Sequence, residues 1–314
     1  MATELNIDAL LPQDMARKAE TIGVRKSQAS FITMFVLAVL AGAFIAMGAI
    51  FCTTVLAGGI SVKAADGAMA FTTTLPYGVN RLLAGMVFCL GLILVVVGGA
   101  ELFTGNNLIV MAWASGKVST SALMRNWVVV YLGNFVGSVA TAVLVLMSKQ
   151  YLFGSGAIGL TALNIAKTKV ELGFVQAIAL GILCNALVCL AVWMSFSARS
   201  TWDKIAAIIF PISAFVAAGF EHSIANMYFI PIGLFIKGFA GNEFWTLIGK
   251  TPADYGSLTW GSFLVNNLLP VTIGNIIGGA IMVGAVYWLV YLRPVEPKVV
   301  PQPAVTGNKG VGTD

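Results

Sequence analysis

The chain has 314 residues, of which 58% are hydrophobic and 10% are charged, whereas about 25% of the residues in soluble domains are charged. This composition predicts a polytopic membrane protein rather than a soluble globular domain. The net charge is +5, and the basic residues are scattered among short loops. This distribution is typical of residues that orient membrane segments, and it does not indicate a nucleic-acid partner. The cysteines lie in apolar runs without CxxC spacing, so we expect packing roles, no metal site and no cofactor; they are Cys52, Cys89, Cys184 and Cys189.

Residues 1–30 are expected to form a cytoplasmic unit with an amphipathic helix. The acidic residues Glu4 and Asp8 argue against a cleavable signal peptide. Residues 12–26 favour a helix because Pro12 suits a first turn, and the stretch is basic through Arg17, Lys18, Arg25 and Lys26. Two roles stay open for this helix, a positively charged topology anchor or a movable gate.

Six apolar segments follow, and each is long enough for the about 20 residues that span a bilayer; they cover about 31–57, 81–113, 123–147, 171–197, 203–231 and 263–291. We expect residues 31–293 to form one transmembrane domain. Residues 63–78, the stretch up to Lys169 and the glycine-rich stretch after Pro231 are expected to be loops. The proline-rich residues 294–314 are expected to be a disordered cytoplasmic tail.

Ionisable residues interrupt the second and fifth segments. Glu101 lies within 99–106, and Glu221 and the only histidine, His222, lie within 219–226. Both stretches follow one pattern: glycine, any residue, glutamate, four residues, asparagine. Ionisable groups inside a membrane are costly, and a broken helix persists there only against protein or a water-lined cavity. We therefore expect both breaks to face inward and to form a binding or permeation site.

A second motif pairs the third segment with the sixth. Gly133-Asn134-Phe135-Val136-Gly137 matches Gly274-Asn275-Ile276-Ile277-Gly278, and its spacing favours close helix packing. The segments thus fall into two triplets, which predicts an all-α inverted 3+3 repeat with broken second and fifth helices. The loops on the side of the termini hold a modest excess of lysine and arginine, so both termini are expected to be cytoplasmic.

The interrupted helices favour an anion, because each resumed half-helix points its positive N-terminus toward the centre. We expect Thr104 to cap one half-helix and to donate its hydroxyl to a permeant. His222 is expected either to pass a proton to a small conjugate base or to stay neutral and tether the break. Glu101 and Glu221 are expected to accept N–H bonds from the loop backbone and to hold the breaks in shape.

Two other classes of protein are weaker candidates. A membrane enzyme would use His222 as general base with assistance from Glu221, but such a site normally has more convergent polar groups. We therefore expect no enzyme. A pore for neutral solutes conflicts with the positive ends of the half-helices.

Four stretches carry a resemblance to a known family; they are Leu102-Phe103-Thr104, the run 188–195, the run 219–227 and the run 270–275. Over about residues 10–293 the chain resembles the formate/nitrite transporter family. The resemblance implies a homopentamer of aquaporin-like protomers in the lipid bilayer of a bacterial cytoplasmic (inner) membrane. Each protomer would hold a pore for small monovalent anions such as formate, nitrite or hydrosulfide.

The resemblance also implies roles for single residues. His222 and Thr104 would form the central polar pair, and Lys169 and Asn185 would supply positive potential and a hydrogen bond, with an interfacial anchor as the alternative for Lys169. The constriction would be built by Phe88 and Phe215 on the outer side and by Leu92, Leu102 and Phe103 on the cytoplasmic side. Structural support would come from Glu101, Glu221 and Asn226.

The resemblance points to two substrates. The residues after Thr104, Gly105-Asn106-Asn107, look closer to the nitrite branch of the family, whereas the fifth and sixth segments look closer to the formate branch. The expected function is movement of formate, with a proton passing through His222. A nitrite or hydrosulfide channel is the alternative.

Overall fold

The computed structural model is almost entirely helical and describes residues 8–63, 69–73 and 75–294. All but the first residue of the expected disordered tail lies outside these ranges. The longer helices are α1 (Pro12–Ser27), α2 (Phe31–Leu56), α3 (Tyr77–Gly98), α6 (Thr120–Met147), α7 (Ala157–Val170), α8 (Phe174–Ser197), α9 (Thr201–Ala218) and α10 (Ser223–Phe239). The shorter ones are α4 (Phe103–Asn106), α5 (Val110–Ala114), α11 (Asn242–Ile248), α12 (Leu269–Ile276) and α13 (Val286–Tyr291).

Six helical runs are long and apolar enough to cross a membrane; among the described residues these are α2, α3, α6, α8, α9 and the run Ser262–Tyr291. In the last run the π-helical stretch Ser262–Leu268 precedes α12, and the π-helical stretch Ile277–Ala285 joins α12 to α13. The helices α10 and α11, bent by 112° at their junction, are a further candidate span. The predicted all-α membrane architecture is confirmed.

The two predicted helix breaks are present, and a glycine starts each of them. Gly99, with φ 79°, directly follows α3 as its C-cap, and Gly219, with φ 77°, directly follows α9. Glycine adopts this left-handed conformation without the clash that a Cβ would cause, so it is the residue expected where a helix stops this abruptly. The chain resumes as α4 at Phe103 and as α10 at Ser223.

Close backbone contacts join the long helices. Helix α6 packs against α2, and α12 packs against α8. A Cβ at Gly137 would overlap the carbonyl oxygen of Val39, and one at Gly278 would overlap that of Ile182. The glycine motifs therefore have the packing role that their spacing predicts, because the absence of a side chain lets the two backbones touch.

Three expected loops contain regular structure instead. An antiparallel hairpin, β1 (Ile60–Lys63) and β2 (Met69–Thr73), lies between α2 and α3. Helix α7 carries Lys169 and packs against α10, and α11 lies in the glycine-rich stretch. These elements are too short to give a membrane-span signal.

Helix α9 begins after Ser200, which is its N-cap: the Ser200 hydroxyl oxygen accepts the Asp203 N–H at 3.1 Å. The Asp203 carboxylate in turn accepts the Ser200 N–H at 2.9 Å. This reciprocal pair is a capping box, which satisfies two backbone donors at once.

The amphipathic helix α1 docks on the protein. Its buried face, Met15, Ala16 and Ala19, packs in one cluster with residues of α8 that include Trp193 and Phe196. Helix α1 therefore covers one end of the transmembrane helices.

Candidate functional site

The two breaks bring Thr104 and His222 together. The Thr104 hydroxyl oxygen lies 3.0 Å from Nε2 of His222, and both side chains are buried. Thr104 belongs to the run of helical turns Phe103–Ala114, and His222 is the residue just before α10. A polar pair therefore lies where the N-termini of the two resumed helices approach each other.

The second ring nitrogen of His222 fixes the direction of this hydrogen bond. Nδ1 accepts the backbone N–H of Ala225 at 3.0 Å and so caps α10. A neutral imidazole that accepts at Nδ1 carries its hydrogen on Nε2, so Nε2 donates to the Thr104 oxygen. The hydroxyl hydrogen of Thr104 is then free to donate to a third group.

Thr104 itself does not cap its half-helix. The residue that precedes α4 is Leu102, and it makes no side-chain capping bond. Thr104 is the second residue of α4 and lies two positions after the N-cap, where a side chain no longer reaches the first free N–H groups. The capping prediction for Thr104 is therefore wrong, and its hydroxyl serves His222 instead.

The glutamate of the first break is held by a lysine and an asparagine. Glu101 Oε2 accepts from Lys26 Nζ at 3.0 Å and from Asn106 Nδ2 at 2.7 Å. Asn126 of α6 completes the network, because its Oδ1 accepts from Asn106 at 2.9 Å and its Nδ2 donates to the Lys26 carbonyl at 3.2 Å. The Glu101 carboxylate, the Lys26 ammonium group and the two asparagine amides thus all have hydrogen-bond partners.

The glutamate of the second break is also held by a lysine and an asparagine. Glu221 Oε1 accepts from Lys169 Nζ at 2.6 Å, and Oε2 accepts from Asn226 Nδ2 at 2.7 Å. Asn267 takes the place of Asn126: its Oδ1 accepts from Asn226 at 2.7 Å, and its Nδ2 donates to the Lys169 carbonyl at 2.8 Å.

Asparagines from the next long helix hold the backbone of each break. Asn134 Oδ1 accepts the Phe103 N–H at 2.9 Å, and its Nδ2 donates to the Glu101 carbonyl at 2.9 Å. Asn275 does the same for the Ser223 N–H at 2.9 Å and the Glu221 carbonyl at 3.0 Å. The expectation that the two glutamates accept the loop N–H groups is therefore wrong, because these asparagines have that role.

Two cavities lie at opposite ends of α3. The first, of about 380 Å³, is lined by Leu92 and Leu102 together with residues of α1. The second, of about 370 Å³, is lined by Phe88, Phe215 and His222. The Phe88 and Phe215 rings meet edge to face at 5.7 Å, and Phe215 lies 5.9 Å from the His222 ring. The aromatic and leucine pairs and the Thr104–His222 pair thus separate the two cavities.

Three further predicted residues lie near this layer. Phe103 packs against Tyr131 at 4.9 Å and lines neither cavity. Asn185 is also outside both cavities, and its Nδ2 donates to Asn107 Oδ1 at 2.9 Å and to the Asn275 carbonyl at 2.7 Å. Lys169 lines the second cavity and is bound to Glu221, which does not fit the alternative of an interfacial anchor.

Several residues around this site were not singled out as site residues from the sequence. Lys26 was only part of a basic run, and Arg81 was only the start of a segment, yet Arg81 donates to the last carbonyls of α9, Val216 and Ala217. Asn126 and Asn267 carried a usable signal: each lies eight residues before the asparagine of the matched motif.

Known proteins share this architecture. The family model described as "Formate/nitrite transporter" matches residues 13–289. The formate channel FocA of Escherichia coli (strain K12) is 46% identical over 293 residues, which are 93% of this chain and 98% of that protein. FocA of Haemophilus influenzae is 42% identical over 287 residues, 90% of this chain and 96% of that protein.

Solved structures agree. The structure titled "Pentameric formate channel with formate bound" has a TM-score of 0.75 and 48% sequence identity, and the match covers 84% of this chain and 98% of that one. An "FNT family ion channel" has a TM-score of 0.72 at 27% identity, covering 88% of this chain and 98% of that one. The chain therefore belongs to the formate/nitrite transporter family.

Proposed function

We propose that this protein is a formate channel and not an enzyme. The observation that carries the proposal is the buried Thr104–His222 pair between two cavities. The pair leaves one hydroxyl hydrogen free in a layer that is otherwise apolar. The formate channels among its relatives support formate as the permeant.

The geometry suggests how an anion passes the centre. An anion enters either between Leu92 and Leu102 or between Phe88 and Phe215. It loses part of its hydration shell there, because these side chains are apolar. The Thr104 hydroxyl then donates to a formate oxygen, and the N-terminus of α10 adds positive potential. His222 acts as the fixed donor that orients the hydroxyl.

The geometry favours a neutral His222 over a proton relay through its ring. A second proton would reside on Nδ1, where the Ala225 N–H already donates. Protonation therefore costs the cap of α10, so we propose that formate passes without a proton from this histidine. Formate flux that rises on acidification in the wild type and loses that rise in His222→Ala would overturn this part and support the proton-coupled alternative.

The substrate is tested by uptake of labelled formate into proteoliposomes, with nitrite, hydrosulfide and acetate as competitors. The side-chain amides after Thr104 already donate within the protein. Asn106 Nδ2 donates to Glu101 and Asn126, and Asn107 Nδ2 donates to the Phe103 carbonyl at 3.2 Å. We expect formate uptake that nitrite reduces only weakly. Preferential block by nitrite or hydrosulfide would move the function to the alternative anion.

We infer an inverted 3+3 arrangement with an aquaporin-like protomer from the matched networks of Glu101 and Glu221. Native mass spectrometry tests the proposed homopentamer, for which a solved relative titled as pentameric is the support. Labelling of single cysteines placed next to α1 and after α13, from either side of bacterial inner-membrane vesicles, tests the proposed cytoplasmic termini.

A further inference from the structure

The first cavity holds more positive charge than its ion pairs neutralise. Besides Lys26, which binds Glu101, its walls include Lys18 and Arg25 of α1 and Lys204 of α9. We call Lys18, Arg25 and Lys204 the basic cluster. Within the described part of the chain, none of these three side chains is in an ion pair. The cluster comes from two helices that are far apart in sequence.

The basic cluster also has unused hydrogen-bond donors. Lys18 Nζ donates to the Phe196 carbonyl at 2.7 Å, which uses one of its three hydrogens. Among residues 8–63, 69–73 and 75–294, the Arg25 and Lys204 side chains make no hydrogen bond at standard distances. Partial burial, together with the positive Arg199 and Lys204 nearby, lowers the pKa of Lys18 from its ordinary value. Lys18 and Lys204 therefore repel each other, and an anion bound between them would relieve that repulsion.

The charge and shape of the cluster indicate the class of anion. One monovalent anion can offset only one of three positive charges. A phosphate group carries up to two charges near neutral pH and three acceptor oxygens, which match the planar fork of arginine and the ammonium groups of lysine. A cavity of about 380 Å³ is large enough for a phosphate monoester.

We propose that the basic cluster is a binding site for inorganic phosphate or a phosphate monoester, which ties α1 to the start of α9. Helix α1 covers the first cavity through its apolar contacts with α8. A ligand bridging α1 and α9 holds α1 in that position and keeps the cavity narrow. This site is separate from the Thr104–His222 pair, and its occupancy does not depend on which anion the protein conducts.

Binding is tested with inorganic phosphate by equilibrium dialysis of the detergent-purified protein, at constant ionic strength with chloride. We expect Lys204→Gln to weaken phosphate binding at least ten-fold. Lys250→Gln removes one positive charge from an exposed position that lines neither cavity, so it should bind as the wild type does. Equal phosphate affinity in the two variants, or no phosphate binding by the wild type, would overturn the proposal.

A second measurement tests the link to α1. Phosphate should slow hydrogen exchange of the α1 amides several-fold in the wild type and in Lys250→Gln, and it should leave them unchanged in Lys204→Gln. Slowing of the same size in Lys204→Gln would contradict the bridge to α9. Because neither measurement involves transport, failure here leaves the proposed channel function unaffected.

Competition experiments distinguish a lipid headgroup from a soluble compound as the source of the phosphate group. Short-chain phosphatidic acid and glycerol 3-phosphate carry the same monoester, one in a lipid and one in solution. Displacement of phosphate by the lipid at much lower concentration identifies a membrane headgroup as the ligand. Displacement at similar concentrations identifies a soluble phosphate compound.

Discussion

The two helix breaks share one scaffold and differ at the residues that meet in the centre. In both, a glutamate binds a lysine and an asparagine, and a second asparagine holds the broken backbone. At matching positions the first break has Leu102 and Thr104, whereas the second has His222 and Ile224. Each break thus supplies one side chain to the central pair, at different positions, and the two form a single hydrogen bond. The repeated residues build the scaffold, and the unrepeated ones determine the chemistry.

The lysines of the two scaffolds also differ in their origin. Lys169 lies in the last turn of α7, and the side chains of its pair with Glu221 are 15% and 6% exposed. Lys26 comes from the docked helix α1, and its pair with Glu101 is 24% and 13% exposed. The second pair is more deeply buried, so its loss should be the more costly one.

The largest expected effect is on this second pair. Lys169→Met leaves Glu221 buried without its cation, and breaking a buried pair in this way costs about 3–5 kcal/mol. Lys26→Met should cost less, because its pair is more accessible to water. Unfolding of the purified protein in detergent measures both. The double variant Lys169→Met with Glu221→Gln should recover part of the loss; no recovery would show that the charge of Glu221 is not the cause.

The backbone-holding asparagines should be equivalent in the two breaks. Asn134→Leu and Asn275→Leu each leave one N–H and one carbonyl unpaired, and each such group costs about 1–3 kcal/mol. We expect similar losses in the free energy of unfolding. A large loss for only one of the two variants would contradict the shared scaffold.

The central hydroxyl should matter for flux, and its loss also leaves the buried Nε2–H of His222 without an acceptor. Thr104→Val keeps the volume and removes the donor, and a hydrogen bond to a charged group contributes about 1.5–3 kcal/mol. Formate uptake into proteoliposomes should therefore fall about ten-fold or more. The matched control is Ile224→Val, at the same position of the other break, which should conduct within about two-fold of the wild type. Normal flux in Thr104→Val would exclude the hydroxyl as the donor.

The smallest expected effect on stability comes from substitutions of His222. These substitutions distinguish its role as the cap of α10 from its hydrogen bond to Thr104. Asparagine is a good N-cap residue, so His222→Asn should keep the cap of α10, whereas His222→Ala should cost about 1 kcal/mol. Both lose the bond to Thr104, so both should lower formate flux. If His222→Asn conducts normally, orientation of Thr104 by the histidine is not needed.

Sequence reasoning identified the broken helices and the glycine contacts, and the family resemblance implied the Thr104–His222 pair. It missed α7 and α11, whose short helices have no span-length apolar run. It assigned the wrong partners to Glu101 and Glu221, because Lys26 and Lys169 lie 75 and 52 residues from these glutamates. Asn126 and Asn267 lie 100 and 98 residues from the lysine carbonyls that they bind. Sequence distance hides such contacts unless a repeat reveals them.

The sequence by itself determined the membrane class, the positions of both breaks and the residues that could carry polarity into the apolar core. Composition and the two matched glycine–glutamate–asparagine patterns depend only on which residues occur and in what order. Both can therefore be recognised directly in the sequence. Only the tertiary structure decided which groups are paired. The direction of the His222 hydrogen bonds, the docking of α1 and the unpaired basic cluster all depend on how helices that are distant in sequence pack against one another.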